Sequence, residues 1–269
     1  MSADGRRVAW DRTGGGNVDI WLMDLQRSAP NRFTSEATID AYPTWSPDGS
    51  RLVFGSFRKD AMDLYLKLAS GAVSEEPLLA TPQPRAPTDW SSDGRFILYR
   101  SSQPTTGYDL WALPLESGGK PGKPFPIVET ASEERDGQFS PDGKWIAYES
   151  NESDRSEIYV QRFPSPEGKV RISTNGGAQI RWSRDGKELF YVALDGRLMA
   201  VPIQFVADGH TINPGAPVPL FATHLGGALQ AAARQQYMVS PDGKRFLMNT
   251  IAEETAPPIT VVLNWKAKP

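Results

Sequence analysis

The chain has no cysteine. Disulfides and cysteine-ligated zinc are therefore excluded, while the compartment stays open, because an exported protein need not be cross-linked. Histidine is almost as scarce, with His210 and His224 alone, too far apart in sequence to form a local metal pair. No metal site and no cofactor are expected. Charge of one sign is not in excess: 29 Lys and Arg stand against 32 Asp and Glu. With no basic stripe, nucleic-acid binding is not expected. No apolar run approaches the length of a membrane span, so this chain is not expected to insert in a membrane. No stretch holds a helical period between caps.

What is abundant is one phrase. A hydrophobic or aromatic residue, Ser, a spacer and Asp-Gly recur six times, in Met1–Gly5, Trp45–Gly49, Trp90–Gly94, Phe139–Gly143, Trp182–Gly186 and Val239–Gly243. A short β-rich run follows each copy, such as Trp145-Ile146-Ala147-Tyr148 or Phe96-Ile97-Leu98-Tyr99. A second run follows, as in Asp63-Leu64-Tyr65-Leu66 and Glu157-Ile158-Tyr159-Val160, then a weaker third, as in Arg32-Phe33-Thr34 and Val170-Arg171-Ile172. With the strand ahead of each Asp-Gly, this makes four strands per unit. A four-stranded unit repeated every forty-odd residues describes a β-propeller blade.

The expected fold is all-β, a six-bladed propeller in one domain over 1–269. The blades fall near 1–35, 36–82, 83–131, 132–175, 176–226 and 227–269, the first and last incomplete. The Asp-Gly pairs belong to the turn between first and second strands, where glycine supplies positive φ and Ser or Asp oxygens bond nearby amides. The aromatic before each Ser is read as packing between blades. Because Met1 stands where Trp45 and Trp90 stand in their copies, the chain is read as a piece of a longer protein and, as a fragment, a monomer. A ring closed without that strand would expose edge amides.

These residues resemble a known group. The Trp/Phe-Ser-Pro-Asp-Gly-Lys/Arg phrase with its following runs resembles the WD-like "PD" repeat of TolB-type propellers across nearly the whole chain. Tyr237–Met248 followed by Ile259–Trp265 resembles the closing segment of propellers fused to bacterial serine/threonine protein kinases. In that group a kinase and a membrane span precede the propeller, which is the presumed sensor. The resemblance implies an extracytoplasmic position. The chain has no kinase motif of its own: no Gly-rich nucleotide loop, no His-Arg-Asp and no Asp-Phe-Gly.

Other chemistry is thinly written. There is no Gly-x-Ser-x-Gly elbow, so a serine peptidase of the prolyl-oligopeptidase type is represented at most by its gating propeller. A polysaccharide lyase or hydrolase needs positioned carboxylates or an equivalent base. The densest acidic loop is Glu133, Glu134 and Asp136 around Arg135, and such a loop is commonly solvated surface. Asn151-Glu152-Ser153-Asp154 only loosely approaches a calcium loop. The residue before the motif aromatic varies in type: Thr44, Asp89, Gln138, Arg181 and Met238. Packing positions would repeat, so these are read as a lining. Asp89 and Arg181, with Arg85, Arg135 and Arg155 from neighbouring loops, are the candidate ligand contacts, and no catalytic residue is assigned. The expected function is non-enzymatic binding of a protein, peptide or glycan, as part of a membrane-tethered sensor kinase. The alternatives are an enzyme's propeller or a periplasmic TolB-like scaffold.

Overall fold

The computed structural model describes all residues except 73, 207–208, 226–234, 251–258 and 263–269, and the backbone alone of 259–262. The described residues form an all-β, six-bladed propeller fold. They fall into two compact units, Met1–Ala131 and Ser132–Pro269.

The first unit holds three sheets. The first is β1 (Arg7–Gly14), β2 (Asn17–Asp24) and β3 (Ala29–Arg32). The second runs β4 (Asp40–Trp45), β5 (Arg51–Ser56), β6 (Asp63–Leu68) and β7 (Glu76–Leu79). The third runs β8 (Arg85–Trp90), β9 (Phe96–Gln103), β10 (Gly107–Pro114) and β11 (Phe125–Val128). The second unit opens with β12 (Glu134–Phe139), β13 (Trp145–Ser150), β14 (Glu157–Arg162) and β15 (Val170–Arg171). A five-stranded sheet follows, made of β16 (Ala178–Trp182), β17 (Glu188–Val192), β18 (Arg197–Phe205), β19 (Ile212–Pro214) and β20 (Val218–Ala222). The last described sheet is β21 (Tyr237–Val239), β22 (Phe246–Asn249) and β23 (Ile259–Val262). Among the described residues every strand pairing is antiparallel, and all join consecutive strands except β18 with β20.

Two details depart from the sequence reading. The fifth sheet has five strands instead of four, because β18 is long enough to pair with both β19 and β20. In the first sheet the third strand ends at Arg32; Phe33 and Thr34 lie beyond it, where the Thr34 hydroxyl accepts from the Ile20 amide at 3.0 Å. Leu263-Asn264-Trp265 of the closing segment, and the boundary between the fifth and sixth blades at 226 and 227, lie outside the described residues.

The core is assembled from both faces of the sheets, as stacked blades require. Leu52, Phe54 and Trp45 pack on Ala9 and Ile20 of the first sheet. Val53 and Leu64 pack the other way on Trp90, Ile97 and Tyr99. In the second unit Trp145, Ala147, Ile158 and Val160 pack against Ile180, Leu189 and Tyr191. Alternation along a strand sends neighbouring residues to opposite blades, which is why these runs are apolar at every position.

The six Asp-Gly hairpins are wired alike. In the second blade the Ser46 hydroxyl donates to Asp48 Oδ1 at 2.6 Å and accepts from the Arg51 amide at 2.9 Å. Asp48 Oδ1 accepts from the Ser50 amide at 3.0 Å, and the Gly49 amide donates to the Ser46 carbonyl at 2.9 Å. The same side-chain bonds join Ser2 to Asp4, Ser91 to Asp93, Ser140 to Asp142, Ser183 to Asp185 and Ser240 to Asp242. Each hairpin glycine has φ near +70°, from Gly49 at 68° to Gly94 at 76°, a region open to glycine and strained for others.

A second repeated device sits at the start of the outer strands. Asp19, Asp63, Asp109 and Glu157 are buried carboxyls that tie down the returning chain. Asp63 accepts from the Thr81 amide at 3.2 Å. Glu157 accepts from the Gly176 amide at 3.0 Å and from the Ser173 hydroxyl, and meets Arg155 Nε at 3.1 Å. The fifth blade puts Arg197 there, and its returning strand is fixed instead by Thr223, which donates to the Gly196 carbonyl at 2.7 Å.

Candidate ligand-binding site

The first strands of four blades are bulged at one place. Register shifts lie between Ala41 and Thr44, Pro87 and Asp89, Arg135 and Gln138, and Ala178 and Arg181. In each, two residues stand against one aromatic of the second strand: Phe54, Tyr99, Tyr148 and Tyr191. Three of the bulges begin with a non-glycine residue at positive φ, namely Tyr42 (59°), Asp136 (48°) and Gln179 (62°). The fourth begins with Pro87, whose ring forbids that conformation. Left-handed backbone at bulky residues is costly and persists where the surroundings impose it.

The bulge also settles the register of the variable residues before the motif aromatic. Thr44, Asp89, Gln138 and Arg181 all stand just past the bulge, opposite Val53, Leu98, Ala147 and Phe190. Met238, opposite Leu247, precedes Val239 in the last sheet.

In the second unit the bulges gather a polar relay. The Gln236 amide donates to Gln179 Oε1 at 2.7 Å, and the Gln179 amide donates to Glu149 Oε1 at 2.5 Å. Glu149 is in turn hydrogen-bonded to Asp136. Arg135 stands directly opposite Glu149 across the β12–β13 pairing. Burial and the neighbouring Asp136 raise the Glu149 carboxyl well above the ordinary range, against the opposing pull of the Gln179 amide and Arg135. Like charges in contact resist joint ionisation, and Glu149 is the carboxyl pushed toward its protonated form. Tyr237 closes the group: its hydroxyl is buried, has no hydrogen-bond partner among the described residues, and lies in the field of Arg181 and Glu149. Burial raises that phenol.

The predicted contacts therefore divide. Arg135 and Arg181 converge on the relay, Arg135 also pairing with Glu133 and Arg181 donating to the Ile180 carbonyl at 3.1 Å. Arg155 stands apart, half-exposed and paired with the buried Glu157. In the first unit Arg85 and Asp89 share β8; Arg85 is buried and Asp89 half-buried. Glu149, Gln179 and Gln236 were missed. A charged residue closing the apolar run Trp145-Ile146-Ala147-Tyr148 was the available signal for Glu149. Gln179 carries no such mark, because its role depends on a bulge.

Other sequence candidates resolve as structure. Asn151 accepts from the Glu133 amide at 2.9 Å, Glu152 pairs with Lys169, and Asp154 takes positive φ, so this segment forms a turn. His210 is exposed and meets Arg162. Among the described residues no group of three or more His, Cys, Asp or Glu is placed to hold a metal ion, and no helix is long and apolar enough to cross a membrane. The Asp136–Glu149 pair, in direct hydrogen bond, lacks the open gap that two carboxyls flanking a glycosidic bond require.

Comparison with known proteins agrees with this architecture. Residues 1–112 match the family model of the TolB beta propeller domain. A segment of 60 residues is 37% identical to the Tol-Pal system protein TolB of Desulfosudis oleivorans, spanning 22% of this chain and 14% of that protein. The crystal structure of TolB from Acinetobacter baumannii superposes with a TM-score of 0.72 at 18% identity, over 98% of this chain and 62% of that one. An oligogalacturonate lyase solved in complex with manganese superposes at 0.62 and 13% identity, over 99% and 88%. The chain thus spans about three fifths of the solved TolB and far less of the curated one. The chain has a TolB-type β-propeller fold.

Proposed function

We propose that this chain is a non-catalytic binding propeller, a TolB-like scaffold acting as a monomer outside the cytoplasm, which holds a protein or peptide along its bulged first strands. The observation that carries the reading is the left-handed conformation of Tyr42, Asp136 and Gln179 at one register. None of the hairpins needs this strain, and in one blade it also serves a buried link, from the Gln179 amide to Glu149. It turns polar groups, including the Asp136–Glu149 pair, to where a ligand's amides and side chains would meet them. In this reading Arg85 and Asp89 serve the bulged strand of the first unit and Arg135 and Arg181 the bulged strands of the second, while Arg155, paired with Glu157, is set aside.

A second reading, the propeller of an enzyme, draws support from the fold likeness to an oligogalacturonate lyase. A tether to a kinase rests on the closing segment alone, whose end lies outside the described residues.

The test is selection of a random displayed peptide library on the immobilised chain, with the winners re-measured on Asp136→Asn and Gln179→Gly variants. Gln179→Gly keeps the backbone conformation and removes the side chain. The expected result is peptides that lose at least about tenfold in affinity on both variants, the loss of one charge-assisted hydrogen bond. Winners that bind both variants as they bind the parent overturn the reading.

A further inference from the structure

At the rung that opens the first strand, two blades place a buried carboxyl across from serine. Asp40 faces Ser56, and Glu134 faces Ser150, whose hydroxyl donates to Glu134 Oε1 at 3.2 Å. The third blade keeps the serine, Ser101, and reverses the charge: Arg85 stands opposite it. A guanidinium accepts no proton, so Ser101 has lost the acceptor its counterparts enjoy. Arg85 is 8% exposed, and its Nε and Nη1 have no hydrogen-bond partner among the described residues. Its guanidinium lies 5.8 Å from the Tyr99 ring centre, and its charge acts on that phenol.

One rung along, Arg100 faces Ala86. It is 5% exposed and sits between two phenol rings, 4.8 Å from the centre of Tyr42 and 5.0 Å from that of Tyr108. Stacking fixes the plane of a guanidinium and leaves its edge to donate a fork of two N–H bonds to a pair of oxygens. Neither Arg85 nor Arg100 has an ion-pair partner among the described residues. Two buried cations without a counter-ion are costly unless an anion arrives.

We propose that Arg85, Arg100 and Ser101 form a carboxylate-binding site for an acidic peptide, a Glu or Asp side chain or a free C-terminus taking the place that Asp40 and Glu134 hold in their own blades. A peptide is favoured over an acidic sugar because one face of Tyr42 and of Tyr108 is already covered by Arg100, leaving less ring for a sugar to stack on. This rests on the reading of the first strands as a binding face.

The experiment uses the full chain and four probes: acetyl-Ala-Glu-Ala-amide, its Gln counterpart, galacturonate and inorganic phosphate. The Glu peptide is expected to bind at least tenfold more tightly than the Gln peptide, and Arg85→Met and Arg100→Met are each expected to abolish that preference. Arg85→Lys and Arg100→Lys, which keep charge and lose the fork, are expected to weaken it severalfold. Without ligand, Arg85→Met is expected to melt at or above the parent temperature, since it removes an uncompensated charge. A guanidinium serving only structure would melt lower on removal. Equal binding of the Glu and Gln peptides, Lys variants identical to the parent, or tighter binding of galacturonate or phosphate would each overturn the site. If peptides from the library bind with no carboxylate preference, the site fails and the broader binding reading stands. If no peptide binds at all, both fail.

Discussion

The backbone amide of Gln179 donates to the side chain of Glu149 at 2.5 Å, one blade's bulge supplying the hydrogen bond that another blade's buried carboxyl lacks. The contact exists because Gln179 has positive φ, which turns its N–H out of the ladder. A local backbone irregularity is thereby converted into a link between blades.

That link carries a pH signature, opposed by the hairpins. The Ser46 hydroxyl, then the Ser50 amide and hydroxyl, lowers Asp48 from 3.8 to about 2; Ser2 lowers Asp4 and Ser240 lowers Asp242. These groups bind a proton less readily folded than unfolded. Their stabilisation is present above 3.8 and is lost as pH falls below it, toward about 2 for Asp48. Glu149 is raised, so it favours the folded chain while protonated, and stability falls as pH climbs above its ordinary 4.5 toward the raised value. Melting temperature against pH should show both limbs. Asp48→Asn should flatten the acid limb and Glu149→Gln the upper one; a Glu149→Gln curve parallel to the parent's would refute the second assignment.

The hairpin wiring predicts graded losses. Ser46→Ala removes a donor to Asp48 and an acceptor for the Arg51 amide, and should cost about 1–2 kcal/mol in urea unfolding. Gly49→Ala should cost about 1–2 kcal/mol for its left-handed φ of 68°. It also disturbs Arg7, whose Nη2 donates to the Gly49 carbonyl at 2.6 Å and lies 3.2 Å from the added carbon.

Gly177 should be intolerant for another reason. A Cβ there would lie 2.7 Å from Tyr191 Cδ2 and 2.9 Å from Ile158 Cγ1, both in packed core. Gly177→Ala should destabilise by about 1–3 kcal/mol, and Tyr191→Leu in the same chain should recover part of it. Simple additivity of the two changes would show that the crowding is relieved elsewhere.

Glu157 and Arg155 form an asymmetric pair. Glu157→Ala strands the Gly176 amide and the Ser173 hydroxyl in the interior and should cost about 3 kcal/mol. Arg155→Ala, on the half-exposed side, should cost less than about 1 kcal/mol. The comparison is read from denaturant midpoints at constant slope.

The fold was legible because its signals are local. Ser, Asp and Gly within five residues define each hairpin, and the aromatic and aliphatic runs on either side need only pair with their neighbours. The site was less legible because its geometry is set by bulges. Thr44, Asp89, Gln138 and Arg181 stood out by variation alone, and the structure puts them at one register. Tyr42 and Gln179 did not stand out, since nothing in a tyrosine or a glutamine announces a left-handed backbone. Arg155 read like its neighbours in sequence, yet a single ion pair with Glu157 takes it away from the relay.

Every hairpin meets its main-chain polar needs from a handful of consecutive residues, and the side chain that follows the glycine is Arg, Ser, Arg, Lys, Lys and Lys in turn; Ser50 and Arg95 add a bond to Asp48 and Asp93, at 2.7 and 2.6 Å. The other four exterior positions, Arg6, Lys144, Lys187 and Lys244, are free to drift. Labels, charges or affinity handles installed there should leave the architecture untouched, which makes the turns natural attachment points for reporting on whatever the bulged strands hold.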